Sequence, residues 1–163
     1  MQEFKFCPIC SSELKWDQID GRKRLNCPEC GWINYRNPIP VIQCLVSNKN
    51  GEVLLIKRGV EPYKGHWSLP GGFVEIDETV EEAGERELLE ETNLKGRPGR
   101  LLGIYLQKSR TYEYVMVIGV EFITDKDDPA PGDDAAEVAY FSKENLPEIP
   151  FQSHLDLISA FYS

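Results

Sequence analysis

The sequence predicts a mixed β-sheet with helices packed on it, preceded by a small separate module. Three observations carry that reading. Hydrophobic patterning gives the order β-β-β-α-β-β-β-α from about residue 41 onward, which is the alternation of an α/β domain. One helix, after residue 79, carries start and stop signals at both ends. The first 36 residues, too few to bury a core, hold two close cysteine pairs.

The elements follow in order. Cys7-Pro8-Ile9-Cys10 and Cys27-Pro28-Glu29-Cys30, with sixteen residues between them, have the spacing of a four-thiolate zinc site. Asp20-Gly21 within Ile19–Arg22 supplies the tip of a hairpin between the pairs. A zinc ribbon over 1–36 is therefore expected, with Cys7, Cys10, Cys27 and Cys30 as ligands; a disulfide or redox pair is the alternative. Asn37-Pro38-Ile39-Pro40 is a stiff connector, because each proline biases its predecessor toward extended geometry. Strands are expected at Val41–Ser47 and Glu52–Arg58, paired as a hairpin through Asn48–Gly51. Cys44, inside the first of them, reads as a buried structural thiol. Trp67–Pro70 is a short extended piece that ends at Gly71-Gly72.

Thr79-Val80-Glu81-Glu82 is a capping box, and Val80, Ala83, Gly84 and Leu88 form the buried stripe of a helix running to Thr92. Asn93 suits the left-handed residue that ends it. Strands at Gly99–Gln107 and Glu113–Ile123, an acidic loop at 124–136, a short strand at Glu137–Phe141 and a helix at Gln152–Tyr162 complete the chain.

Composition narrows the function. Of 163 residues, 41% are hydrophobic, enough for a core without disulfide staples. No apolar run reaches the length of a membrane span, and no signal-peptide pattern opens the sequence, so a cytoplasmic protein is expected. The net charge is −9, divided as +1 over residues 1–36 and −10 beyond. That sign opposes broad contact with a phosphate backbone, so a nucleic-acid role is not expected.

The chemistry lies in the acidic helix. Glu81, Glu82 and Glu85 sit near its positive end and read as a solvated face. Glu87, Glu90 and Glu91 stand at i, i+3 and i+4 near its negative end, where like charges destabilise a helix by a few tenths of a kcal/mol per pair. A divalent cation reverses that sign, and oxygen ligands favour Mg²⁺ or Mn²⁺. Arg86 can hold Glu90 at i+4. The glycines of Leu69-Pro70-Gly71-Gly72-Phe73 let the backbone approach a ligand, and a carbonyl there can join a metal shell. Only His66 and His154 are present, and neither falls in a triad-like arrangement.

Gly72, five residues, Glu78, seven residues, and Arg86-Glu87-Leu88-Leu89-Glu90-Glu91-Thr92-Asn93-Leu94 resemble the box of the Nudix hydrolases, with Asn93 in place of the family's glycine. The resemblance covers residues 41–163. It implies an α/β/α sandwich that hydrolyses a nucleoside diphosphate linked to another moiety, in a domain reckoned from residue 37 to 163. It also implies that Glu87 and Glu91 bind catalytic Mg²⁺ or Mn²⁺, with Glu90 and the Gly71 carbonyl assisting. Glu78 and Arg86 would be orienting residues. Arg58, Trp67, Gly72, Tyr112 and Glu137 are candidate substrate contacts, Glu137 also as a supplementary ligand or base.

A zinc ribbon ahead of such a domain is shared with NADH and FAD pyrophosphatases. Gln107–Tyr112 differs from the Ser-Gln-Pro-Trp-Pro-Phe-Pro stretch of the NADH enzymes. Tyr35-Arg36-Asn37-Pro38, Gly65–Pro70, Ala130-Pro131-Gly132 and Phe151-Gln152-Ser153 are closer to the FAD-cleaving group. FAD or ADP-ribose is the expected substrate, giving AMP and a phosphate ester. NADH or a nucleoside triphosphate, or a non-catalytic nucleotide sensor, are the alternatives. The apolar content of the ribbon (Phe4, Phe6, Ile9, Leu14, Trp16, Trp32) suggests a homodimer.

Overall fold

The N-terminal module is a three-stranded antiparallel ribbon. In this computed structural model, which describes residues 4–163, it comprises β1 (Lys15–Ile19), β2 (Arg22–Asn26) and β3 (Ile33–Asn34) in the order β1-β2-β3. The turn between β1 and β2 has Asp20 at φ 53° and Gly21 at φ 73°, the two left-handed residues of a type I′ hairpin. Its core is small: Cys7, Leu14, Leu25 and Cys27 are buried, with Trp32 packed against them.

Two further sheets build the rest. The first, in the order β4-β8-β7, pairs β4 (Ile39–Leu45) parallel to β8 (Glu113–Thr124), and β8 antiparallel to β7 (Gly96–Ser109). The second, β6-β5-β9, is antiparallel and comprises β5 (Val53–Arg58), β6 (Trp67–Ser68) and β9 (Ala135–Phe141). Helix α1 (Val80–Thr92) covers a core that includes Ile42, Cys44, Leu54, Leu88 and Phe122. Helix α2 (Gln152–Phe161) covers the other side, over Leu45, Leu55, Val117 and Leu157. Strands buried from both faces need continuous apolar runs, which is how β5 begins: Val53, Leu54, Leu55 and Ile56 are all buried.

The expected hairpin between β4 and β5 is only half right. Its turn forms, with Asn48 Oδ1 accepting from the amides of Asn50 and Glu52 at 3.0 Å each and a single bridge between Ser47 and Val53. The strands then part into different sheets. Each is buried on both faces, and as a simple hairpin they would leave one face of each bare. The strand expected at 99–107 is longer, running from Gly96 to Ser109. Cys44 is buried as expected, its thiol donating to the Gly84 carbonyl at 3.3 Å. No helix among the described residues is long and apolar enough to cross a membrane.

Of the ribbon's apolar residues, Leu14 and Trp32 pack internally, but Phe4, Phe6, Ile9 and Trp16 stay exposed. The first sheet also exposes Ile104, Leu106 and Met116, with Leu106 opposite Met116. Phe4, Trp16, Tyr35, Leu106 and Tyr114 line one groove of about 640 Å³.

Candidate functional site

Two clusters of anionic side chains stand out, and each is built by local backbone geometry. In the ribbon the two Cys-x-x-Cys turns have the same hydrogen bonding. Cys7 N donates to Ser12 O at 2.8 Å and Ser11 N to Cys7 O at 2.9 Å; Cys27 N donates to Trp32 O at 2.8 Å and Gly31 N to Cys27 O at 3.0 Å. The four sulfurs lie within 4.8 Å of one another, with Cys7–Cys30 at 3.5 Å and Cys10–Cys27 at 3.4 Å. A tetrahedral ion with bonds of about 2.3 Å needs sulfurs about 3.8 Å apart, so these residues fit zinc. None of the four is in a disulfide. Within this crowded set, hydrogen bonding to Ser12 pulls the Cys10 thiol down to about 6, while Cys30, beside the other sulfurs, is pushed up to about 12.

The second cluster begins with the cap of α1. Glu82 N donates to Thr79 Oγ1 at 3.2 Å and Thr79 N to Glu82 Oε2 at 2.8 Å, the reciprocal pair of a capping box. Ahead of the helix, residues 70–74 run along the free edge of β4. Ile42 N donates to Gly72 O at 2.9 Å, Cys44 N to Pro70 O at 2.8 Å and Val74 N to Pro40 O at 3.2 Å. That path is possible only with glycines. A Cβ on Gly71, at φ 146°, would stand 2.1 Å from Ile42 O, and one on Gly72 would stand 2.3 Å from Glu87 Oε1.

The loop and helix thereby meet at the carboxylates. Gly71 N donates to Glu91 Oε2 at 2.8 Å, and Glu91 is only 6% exposed. Burial, reinforced by the charge of Glu87, pushes the Glu91 carboxyl up to about 8 against the opposing pull of the Gly71 amide. Glu87 is also raised, chiefly by burial. Arg86 ties the periphery together. Its Nε and Nη2 reach Glu78 at 2.6 and 3.0 Å, and its Nη1 reaches Glu87 at 2.8 Å and Glu90 at 3.0 Å. That bidentate pair holds the Glu78 carboxyl below its ordinary range.

The three glutamates do not converge as the thiolates do. Among the described residues, only the cysteines form a group of three or more metal-capable side chains with ligand atoms within 4.8 Å. Arg86 stands between Glu87 and Glu90, and Glu90 is the most exposed of the three. Glu91, buried, and Glu87, half-buried and paired on one side with Arg86, still fit a hard divalent ion at the cleft wall, whose charge would offset their burial.

Glu87, Glu91, Gly71 and Gly72 form one wall of a cleft of about 940 Å³. Across it, Phe151 stacks on His154 at 4.7 Å and meets Tyr63 edge-on at 5.0 Å. His154 Nδ1 accepts from Leu69 N at 3.1 Å, which puts the ring proton on Nε2, and burial brings its pKa down to about 3. Two cations edge this corner. Arg110 lies 5.1 Å over the Tyr63 ring, and Arg58, its Nε donating to Pro62 O at 2.7 Å, lies 5.9 Å over the Phe151 ring.

Of the expected substrate contacts, the cleft includes Arg58, Gly72 and Tyr112 but neither Trp67 nor Glu137. The structure places these two elsewhere. Trp67 packs edge-on against Phe141 at 4.8 Å, and Glu137 pairs with Lys57 at 2.7 Å. Lys57 pairs in register with both Trp67 and Glu137, and Arg58, the next residue of the strand, faces the opposite side by ordinary alternation. Sequence reasoning also missed Gln43, 6% exposed, whose Oε1 has no protein partner, and Asp134; both line the cleft. The signal for Gln43 was a lone polar residue inside the apolar run Val41–Val46. Asp134 had no signal beyond being one acid among several in a loop.

A NUDIX domain family model matches residues 37–160, and a Nudix N-terminal zinc-ribbon model matches residues 5–36. The chain is 42% identical over 119 residues to an ADP-ribose pyrophosphatase of Methanocaldococcus jannaschii, a match covering 72% of this chain and 69% of that one. It is 41% identical over 88 residues to diphosphoinositol polyphosphate phosphohydrolase 2 of Rattus norvegicus, covering 52% of this chain and 48%, about half, of the relative. The crystal structure of a NUDIX hydrolase from Nitrosomonas europaea superposes with a TM-score of 0.81 at 32% identity, covering 98% of this chain and 91% of that one.

Proposed function

The chain belongs to the NUDIX family and is a pyrophosphohydrolase, and from that premise we propose that it cuts a nucleoside diphosphate linked to a second moiety, with Mg²⁺ or Mn²⁺. The observation that carries the reading is the Glu87–Glu91 pair, buried at the wall of a cleft and braced by Gly71 and Arg86. Glu87 and Glu91 would hold the cation, with Glu90 and the Gly71 carbonyl at its margin. When bound, the cation neutralises diphosphate oxygens and acidifies a water molecule. Glu78 and Arg86 orient the carboxylates. Arg58 is placed to take a phosphate on the side away from the helix. Gln43 would supply a buried acceptor for an uncharged N–H or O–H of the substrate.

ADP-ribose is the first choice of substrate, because the relative of that name is 42% identical over most of the chain. FAD is the second, favoured by the aromatic Tyr63–Phe151–His154 corner of the cleft, where a ring face would suit a wide ring system. The expected products are AMP with ribose 5-phosphate or with FMN, one water being consumed per cut. We place the ribbon at residues 1–36, with zinc on Cys7, Cys10, Cys27 and Cys30, and the hydrolase domain at 37–163.

Hydrolysis of ADP-ribose, FAD, NADH, diadenosine polyphosphates and nucleoside triphosphates, each with Mg²⁺ and with Mn²⁺, tests the reading. AMP release from ADP-ribose or FAD ahead of the others supports it. No turnover of any of them, despite tight nucleotide binding, would return the sensor alternative. We also propose that two copies pair over the exposed ribbon residues and the exposed sheet residues Leu106 and Met116. A light-scattering mass near 18.6 kDa at all concentrations would exclude that pairing.

A further inference from the structure

Asn93 is where the motif departs from the family's glycine, and its side chain has a partner that glycine could not engage. Its Nδ2 donates to Ala130 O at 3.1 Å. This is one of three bonds that fasten the segment between β8 and β9 to the end of α1. Ala130 N donates to Thr92 O at 2.9 Å and Gly132 N to Glu91 O at 3.2 Å. Both acceptors are carbonyls that the helix leaves without an internal partner. The approach is close: a Cβ on Gly132 would stand 2.3 Å from Glu90 O and 3.3 Å from Asn93 Nδ2.

From this clamp the chain reaches the cleft within two residues. Asp134 lines it, and Gly59 N donates to Asp134 O at 2.6 Å, which ties the same segment to the residue after Arg58. Asp134, Arg58 and Glu91 all line that one cleft. We propose that Asn93 is a positioning residue: by holding the β8–β9 segment on the end of α1, it sets Asp134, and through Gly59 also Arg58, in the cleft that Glu91 lines. The proposal rests on the hydrolase reading above. It assigns roles to Asn93 and Asp134, neither of which the motif itself would select.

Asn93→Gly is the direct test, since glycine keeps the left-handed φ of 56° and removes only the amide. The expected result is a five- to tenfold loss of kcat/KM for the substrate that the panel identifies, roughly the effect of a sub-ångström displacement of contact groups. A purely structural role would add to other changes, so a double-mutant cycle separates the two. In an Asp134→Asn background, Asn93→Gly should cost clearly less than in the wild type, because one of the two groups it positions is already changed. Independent, additive losses would overturn the proposal, as would full kcat/KM in Asn93→Gly.

Amide exchange gives a readout that needs no substrate. Exchange at Ala130 and Gly132 should rise in Asn93→Gly, while the interior of α1 stays protected. Unchanged exchange at those two amides would also sink the clamp. Failure of the wild-type protein to hydrolyse anything would count against the hydrolase reading alone, and the exchange result would still decide the clamp.

Discussion

The ribbon and the acidic helix each gather negative groups, but they do so in opposite ways. The four sulfurs converge within 4.8 Å through two short turns, each closed by its own backbone bonds. The glutamates are set on one helix at i, i+3 and i+4, and an arginine, a glycine amide and a buried cleft wall hold them apart. A closed shell of four thiolates leaves no position for water. A half-built shell of carboxylates at a cleft leaves room for both water and substrate. The first arrangement suits a structural ion in a module with a small core, and the second suits an ion that must also meet water and substrate.

The sharpest way to break this contrast is to remove one charge from the open cluster. Glu91→Gln or Glu87→Gln should lower turnover at least about 10²-fold, or some 2.7 kcal/mol of barrier. Changes at Glu81 or Glu85, exposed on the same helix, should cost little. Full turnover in Glu91→Gln would return the carboxylates to an ordinary helix face.

The closed cluster should respond in the other direction. Stripping zinc with a chelator, then restoring Mg²⁺, should unfold residues 1–36, with loss of dispersion for that segment in NMR spectra. Hydrolysis should persist in part, because the cleft is built wholly from residues beyond 40. Metal analysis should give one zinc per chain. Complete loss of activity that fresh zinc alone restored would mean that the ribbon belongs to the active site.

The smallest effect is on stability without the divalent cation. Glu91 is raised from the ordinary carboxyl value of 4.5 to about 8, so between those values the folded protein holds a proton that the unfolded chain has released. Its contribution is therefore fully present below about pH 4.5 and lost as the pH rises through about 8. Thermal melts of the metal-free protein should show this decline over that range, and Glu91→Gln should flatten it. Cation binding should reverse it by favouring the ionised pair. An identical slope in the variant would remove Glu91 from the account.

What the sequence determined by itself is local. Thr79 and Glu82 are three residues apart, so their capping box needs only a helix to form. Asn93 tolerates the left-handed turn that ends it. The two cysteine turns depend on bonds no more than five residues long. Carboxylates at i and i+4 share a face wherever the helix is placed.

Pairings decided across the fold were harder to read than its class. The strands either side of Asn48–Gly51 look like a hairpin, yet they part because each must be covered on both faces. Trp67 and Glu137 read as substrate contacts, yet both meet Lys57 in register, while Arg58, one residue on, lines the cleft. Asp134, one acid in an acidic loop, lies in a segment that bonds to bare carbonyls at the end of α1. Side-chain direction in a strand reverses with every residue, so which of two neighbours faces a cleft depends on where the sheet is placed. That is why the helix and the cysteine turns could be read from the chain alone, while the far wall of the cleft had to be seen.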